Sequence, residues 1–165
     1  MSQAANFQSP KRLHLSALVA LLAISAAVAA ISGLVTTQSV GDWYVGLNKP
    51  PFNPPNWVFG PVWTALYIAM AVAAWRVWCT GPRRRRGPIR LYAAQMALNF
   101  AWSLLFFGAR QVGLALIDII ALLALVLATA VAFWRRDRVA GALMLPYAAW
   151  VAFATVLNAA IWRLN

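Results

Sequence analysis

The sequence predicts an all-α membrane protein built as a bundle of five transmembrane helices. Of its 165 residues, 63% are hydrophobic and only 10% are charged, with a mean hydropathy of +0.70. A soluble domain of this size could not hide so much apolar surface, so lipid is the solvent for most of the chain. The apolar residues fall into five blocks, each close to the ~20 residues needed to cross hydrocarbon. The cations fall almost entirely between those blocks, which is a topology pattern.

Residues 1–12 form a polar tail ending in Lys11-Arg12, and a single membrane domain follows over 13–163. The first apolar block predicts a helix over 13–35. Ala27-Val28-Ala29 resembles a signal-peptidase site, but the block is 23 residues long. A signal core runs to roughly 7–15 residues, so a retained helix is expected. Residues 37–56 make the one long polar break. Pro50, Pro51, Pro54 and Pro55 forbid a helix there and remove backbone donors. A disordered linker would be poor in large aromatics, yet Trp43, Tyr44, Phe52 and Trp57 lie in or beside it. An ordered cap over the mouth of the bundle is expected.

Helices two to five are predicted at about 57–79, 89–109, 112–134 and 139–162. Pro61 falls near the start of helix two, where a missing N–H costs little. The separators Thr80 to Pro88, Arg110-Gln111 and Arg135 to Arg138 are short, so consecutive helices should run antiparallel as neighbours. With five spans, one side holds Lys11, Arg12, Arg76, Arg83 to Arg86, Arg90, Arg135, Arg136 and Arg138. The other side holds only Lys49, Arg110 and Arg163. That asymmetry puts the N-terminus and the Arg-rich loops in the cytoplasm and the proline loop and C-terminus outside. The net charge of +11 is thereby absorbed by topology, and nucleic-acid binding is not expected. Trp75, Trp78 and Trp134 fall at the inner interface and Trp43, Trp57 and Trp162 at the outer one, as an aromatic belt would.

Three tryptophans lie too deep for the belt. Trp63 is six residues in from Trp57, and Trp102 has a similar depth on helix three, roughly 9 Å at 1.5 Å per residue. Trp150 is near the middle of helix five. Asp118 is the one acidic residue inside a span, and a carboxylate there should face the bundle interior or a wet cavity. Gln95, Asn99 and Asn158 add buried amides. Gln95, Asn99, Trp102 and Phe106 share one face of helix three. Ala93, Ala97 and Ala101 form a small-residue stripe about 200° away, suited to close contact with another helix. Tyr147, Trp150, Ala154 and Leu157 align on helix five, and Leu114 lies one turn from Asp118 on helix four. These groups predict a pocket for a flat aromatic molecule, with indoles to stack on it and a few polar groups to orient it.

Catalysis is weakly signalled. Asp118 has no second carboxylate nearby, and no nucleophile–base pair is present. Cys79 and His14 are the only residues of their kinds, so neither a disulfide nor a metal site is expected. One intramembrane acid is also few for a proton-coupled transporter.

The motifs are similar to those of the TspO/MBR family, the tryptophan-rich sensory, translocator or peripheral-type benzodiazepine receptor proteins. They are Trp43-Tyr44 with Leu47-x-Lys49-Pro50, Pro54-Pro55-x-Trp57, Pro61-x-Trp63-x-x-Leu66-Tyr67 and Gln95-x-Ala97-Leu98-Asn99-x-Ala101-Trp102. Phe106 to Gln111, Ala115-x-x-Asp118, Pro146-Tyr147-x-x-Trp150 and Ala154-Thr155-x-Leu157-Asn158 complete the match, in order, over nearly all of Gly33 to Arg163. The resemblance implies a multi-pass sensory or translocator protein, commonly a homodimer. It implies binding of a porphyrin such as protoporphyrin IX, or another tetrapyrrole, with no cofactor required. The implied pocket comprises Gly33, Phe59, Gly60, Val62, Trp63, Asn99, Trp102, Leu114, Asp118, Trp150, Ala154 and Leu157. An alternative within the family is light- and oxygen-dependent breakdown of protoporphyrin, for which Trp63 and Trp150 are the candidate residues. The sterol-recognition pattern of animal relatives wants a tyrosine near the end of helix five. Ala159 and Ala160 stand there instead, so sterol binding is not expected.

Overall fold

The computed structural model describes residues 10–165, and residues 1–9 of the predicted polar tail over 1–12 lie outside them. Five helices carry the chain: α1 (Pro10–Ser39), α2 (Asn56–Trp78), α3 (Pro82–Ser103), α4 (Val112–Trp134) and α5 (Arg138–Leu164). No strand occurs among the described residues, and all five helices are long and apolar enough to cross a membrane. Leu15, Ile31, Ile68, Ile117, Leu127 and Val156 are among the large apolar side chains left exposed. A water-facing surface would not carry so many, whereas lipid accepts them without cost.

Boundaries differ from expectation at three places. First, α1 begins at Pro10 and runs to Ser39, where it opens into a wide π turn over Val40–Tyr44. The polar break is therefore helical through Gly46, and the irregular part is confined to the proline segment after it. Second, α3 ends in a matching wide turn over Leu104–Gly108. Third, Arg83–Arg86 occupy the first turns of α3 rather than a loop. Pro82 supplies a preset φ at the helix start, and Gly81 takes φ +102°, which a side chain would resist. Arginine is itself a good helix former, so nothing opposes the extension.

Around the bundle the helices follow the order α1, α2, α5, α4, α3, with the far end of α3 returning to α1. Chain order alone suggested α2 beside α3, yet α2 packs more closely on α5. The solid core lies toward the Arg-rich end, where Met70, Val77, Phe133 and Met144 are fully buried with Ala71, Ala73 and Ala74. Three alanines in four residues let the neighbouring backbones approach α2 closely, the usual device of membrane helices. Helix α1 is the peripheral member, and among its described side chains the buried ones are Ser25, Ser32 and Ser39, one every seven residues. Ser25 shares a 3.3 Å hydrogen bond with Tyr92, and Ser39 donates to the Phe107 carbonyl at 2.6 Å.

Asp137 ties the Arg-rich end together. Its carboxylate caps α5 by accepting from the Ala140 N–H at 2.8 Å, and it pairs with the Arg76 guanidinium at 2.8 and 3.1 Å. The bidentate hydrogen bond from Arg76 holds its carboxyl below the usual carboxylate range. The interfacial tryptophans behave unequally. Trp57, Trp134 and Trp162 are 76%, 48% and 56% exposed, as a belt requires. Trp43 instead packs edge-on against Phe106 at 5.6 Å, and Trp75 donates to the His14 carbonyl at 2.7 Å. Trp78 lies beneath the Arg85 guanidinium at 3.5 Å. His14 meets the Cys79 thiol at 3.0 Å, and burial pushes that thiol's pKa up.

Candidate functional site

A cavity of about 540 Å³ opens between α1, α2, the end of α3 and α5, at the end of the bundle away from the arginines. Each helix presents one face to it. On α2, Phe59, Gly60, Trp63 and Tyr67 follow the three-to-four-residue rhythm of a helical stripe. On α5 the stripe is Trp150, Ala154, Leu157 and Ile161, and on α3 it is Trp102 with Phe106 and Phe107. Helix α1 contributes only small residues: Ala29, Ser32, Gly33, Thr36 and Thr37. The room for a guest thus comes mainly from α1, while the aromatic surface comes from the other three helices.

The walls are aromatic pairs in edge-to-face and offset contact, the geometry that ring quadrupoles favour. Trp63 and Trp150 meet at 6.4 Å between centroids and 88° between planes. Phe59 stands against Trp150 at 5.8 Å, and Trp102 stacks on Phe106 at 5.2 Å. Buried polar groups hold these rings from behind. Tyr67 donates to Asn99 Oδ1, and Asn99 Nδ2 donates to the Tyr147 hydroxyl at 3.1 Å. The Trp102 indole donates to Asn158 Oδ1 at 3.0 Å, while Asn158 Nδ2 donates to the Val112 carbonyl at 3.0 Å. The Trp150 Nε1 is buried with no hydrogen-bond acceptor in the protein.

The proline segment is fastened to the bundle. Tyr44 donates to Asn53 Oδ1 at 2.8 Å, and burial raises its phenol above the ordinary value. The Lys49 ammonium lies 4.8 Å from the Tyr44 ring centroid and donates to the Val45 and Leu47 carbonyls. Asn48 and Asn165 exchange backbone-to-amide hydrogen bonds at 3.0 Å in both directions. Phe52 rests edge-on against Phe153 at 6.4 Å.

Of the sequence-predicted residues, Gly33, Phe59, Gly60, Trp63, Trp102, Trp150, Ala154 and Leu157 all line the cavity. Val62, Asn99, Leu114 and Asp118 do not. Val62 is turned about 100° from Trp63 and packs into the solid core. Asn99 is 2% exposed and stands behind Tyr67 and Tyr147, so it positions the wall rather than forming it. Leu114 is 53% exposed, on the outside of α4. Asp118 is half-buried on α4, with Oδ2 shielded and without a protein partner. The common reason for Leu114 and Asp118 is the ring order: α4 lies behind α3 and α5, and none of its residues reaches the cavity. The expectation that the carboxylate joins the indoles in one hollow is therefore corrected. The structure adds Ser32, Thr36, Thr37, Tyr44 and Tyr67 to the lining. The heptad spacing of Ser25, Ser32 and Ser39 was a legible signal that α1 turns this face inward. Ala93 and Ala97 are exposed and Ala101 is half-buried, on the outer surface of α3.

Comparison with known proteins agrees with this architecture. The TspO/MBR family profile matches residues 19–163. The human translocator protein is 46% identical over 126 residues, covering 74% of this chain and 75% of its own length. The tryptophan-rich protein TspO of Archaeoglobus fulgidus is 39% identical over 153 residues, covering 93% of this chain and 99% of its own. Protein CrtK of Rhodobacter capsulatus is 36% identical over 150 residues, covering 90% and 92%. With its five membrane-length helices, its tryptophan-lined cavity and a match over almost the whole bundle, the chain belongs to the TspO/MBR family.

Proposed function

We propose that this integral membrane protein binds a tetrapyrrole, protoporphyrin IX or a close relative, in the cavity between α1, α2, α5 and the end of α3, and acts as a sensory or translocator protein. One observation supports it above the rest: a cavity of about 540 Å³ walled by Trp63, Trp150, Phe59, Trp102 and Phe106. Its volume falls in the range of small-molecule sites, and its surface is flat rings with sparse polar groups. A porphyrin macrocycle offers the matching chemistry, a large π face for stacking with polar edges. The two tyrosine hydroxyls of the lining are engaged, Tyr44 with Asn53 and Tyr67 with Asn99, so stacking on the indoles is the contact that would hold the ring. The N-terminus and the Arg-rich end face the cytoplasm in this reading, by the charge asymmetry of the sequence.

Titrating the purified protein with protoporphyrin IX should quench its tryptophan fluorescence in a saturable way. Trp63→Ala and Trp150→Ala should each weaken binding about tenfold, since removing one aromatic contact costs roughly 1–2 kcal/mol. Unchanged affinity in both variants would remove this assignment. A second reading is favoured by the Trp63–Trp150 contact, because adjacent indoles at a bound pigment can be oxidised. Illuminating the same complex in oxygen and following the Soret band separates the two readings. A product that forms in the native protein but not in Trp63→Phe or Trp150→Phe would establish pigment breakdown.

The outward stripe Ala93, Ala97 and Ala101 supports a homodimer through α3, because small side chains let two backbones approach. Ala97→Phe should then yield monomers in detergent by light scattering. A dimer that survives it places the contact elsewhere.

A further inference from the structure

The geometry points to a second binding site at the opposite end of the molecule: a notch between α3 and α4 that seats the headgroup of an anionic phospholipid. The notch encloses about 460 Å³. Its rim carries Arg90 from α3 and Arg135 and Arg136 from the turn after α4, all exposed. Its floor is Pro88, Leu91 and Ala132, an apolar surface. Gly87 completes the lining, and a Cβ built on it would meet nothing within 4 Å, so the notch is open on that side.

Charge is what selects the occupant. The chain has three acidic residues. Asp42 lies at the far end, Asp118 lies inside α4, and Asp137 is committed to Arg76 at 2.8 Å. Among the described residues no carboxylate therefore pairs with Arg90, Arg135 or Arg136. Arg85, by contrast, is engaged with the Trp78 ring and carbonyl. Three arginines therefore share one rim, and each guanidinium is a planar fork of donors suited to a phosphate. A topology anchor needs only charge near a helix end and does not need a shaped apolar floor. Here the floor continues toward the membrane interior. Ala128 and Ala124, one and two turns from Ala132 on the same face of α4, are exposed and small, so an acyl chain can lie close against the helix there. Phosphate-binding rim above, apolar helix face below: this is the amphipathic profile of a phospholipid, and basic notches between membrane helices are suited to such headgroups.

The test uses the full chain in nanodiscs of equal phosphatidylcholine and phosphatidylglycerol, extracted into mild detergent and weighed intact by native mass spectrometry. The native protein should retain phosphatidylglycerol over phosphatidylcholine by at least tenfold. The triple variant Arg90→Gln, Arg135→Gln, Arg136→Gln should lose that preference. The variant Arg83→Gln, Arg84→Gln, Arg86→Gln removes the same charge from the same end and should keep it. Ala132→Phe fills the floor with every arginine in place and should also lower retention about tenfold. Equal losses from the two triple variants, or no loss in Ala132→Phe, would reduce the effect to diffuse surface attraction and overturn the site. Inorganic phosphate at millimolar concentration should leave the lipid bound; displacement by it would overturn the lipid assignment.

Discussion

Replacing Gly141 with alanine is expected to destabilise the fold by about 1–3 kcal/mol, although alanine is the better helix former. The reason is the tightness of the α4–α5 turn. Arg136 and Asp137 both donate their N–H groups to the Phe133 carbonyl at 2.8 Å, and Asp137 then caps α5. That closure brings the Gly141 Cα against Trp134. A methyl group on Gly141 would lie 2.7 Å from the Trp134 Cα, Cβ and Cε3. Backbone at both positions is fixed by helix hydrogen bonds, so no flexible side-chain end can yield. Relief requires α4 and α5 to separate, and they are the most extensively packed pair in the bundle. The gain in intrinsic propensity, about 0.8–1 kcal/mol, is too small to offset this. Thermal unfolding in detergent, followed by tryptophan fluorescence, should show a clear fall in Tm for Gly141→Ala. Gly33→Ala provides the contrast, because a Cβ at Gly33 meets nothing within 4 Å. It should be neutral or slightly stabilising. Equal or greater stability for Gly141→Ala would show that the turn is not under this steric limit.

The second large effect concerns the cavity. Gly33→Leu should weaken protoporphyrin binding by roughly 10- to 100-fold without lowering Tm. Gly33 lines the cavity from α1, and the space beyond its Cα is empty. A leucine there projects into the volume a flat ligand would occupy, and overpacking of that kind costs about 1–3 kcal/mol on binding. The folded protein itself loses nothing, since the new side chain fills space and leucine favours the helix over glycine. Loss of binding with retained stability is the signature that distinguishes a filled site from a broken fold. Gly60 is the less clean position for this test, although it too lines the cavity. It precedes Pro61, whose ring disfavours helical geometry for a preceding residue that bears a Cβ. Unaltered binding in Gly33→Leu would place the ligand away from α1.

Five spans, their approximate limits and the depth of the central tryptophans were all legible from hydropathy and from a rise of 1.5 Å per residue. These depend only on local composition and on helix geometry, so no knowledge of neighbours is needed. The stripe Trp150–Ala154–Leu157 was legible for the same reason, since period 3.6 places such residues on one face. The wide turns at Val40–Tyr44 and Leu104–Gly108 were not, because an extra residue per turn leaves no compositional mark.

What depth and phase could not decide was which helix stands beside which. Asp118 has the right depth and a plausible face, yet it never meets Trp63 or Trp150 in the cavity, because α4 is screened by α3 and α5. Asn99 has the right phase but is spent on Tyr67 and Tyr147. Sequence by itself determined how many helices there are, roughly where they run and which residues share a face. Tertiary packing alone decided the ring order, and with it which faces enclose empty space, because side-chain volume and backbone approach act between segments distant in the chain.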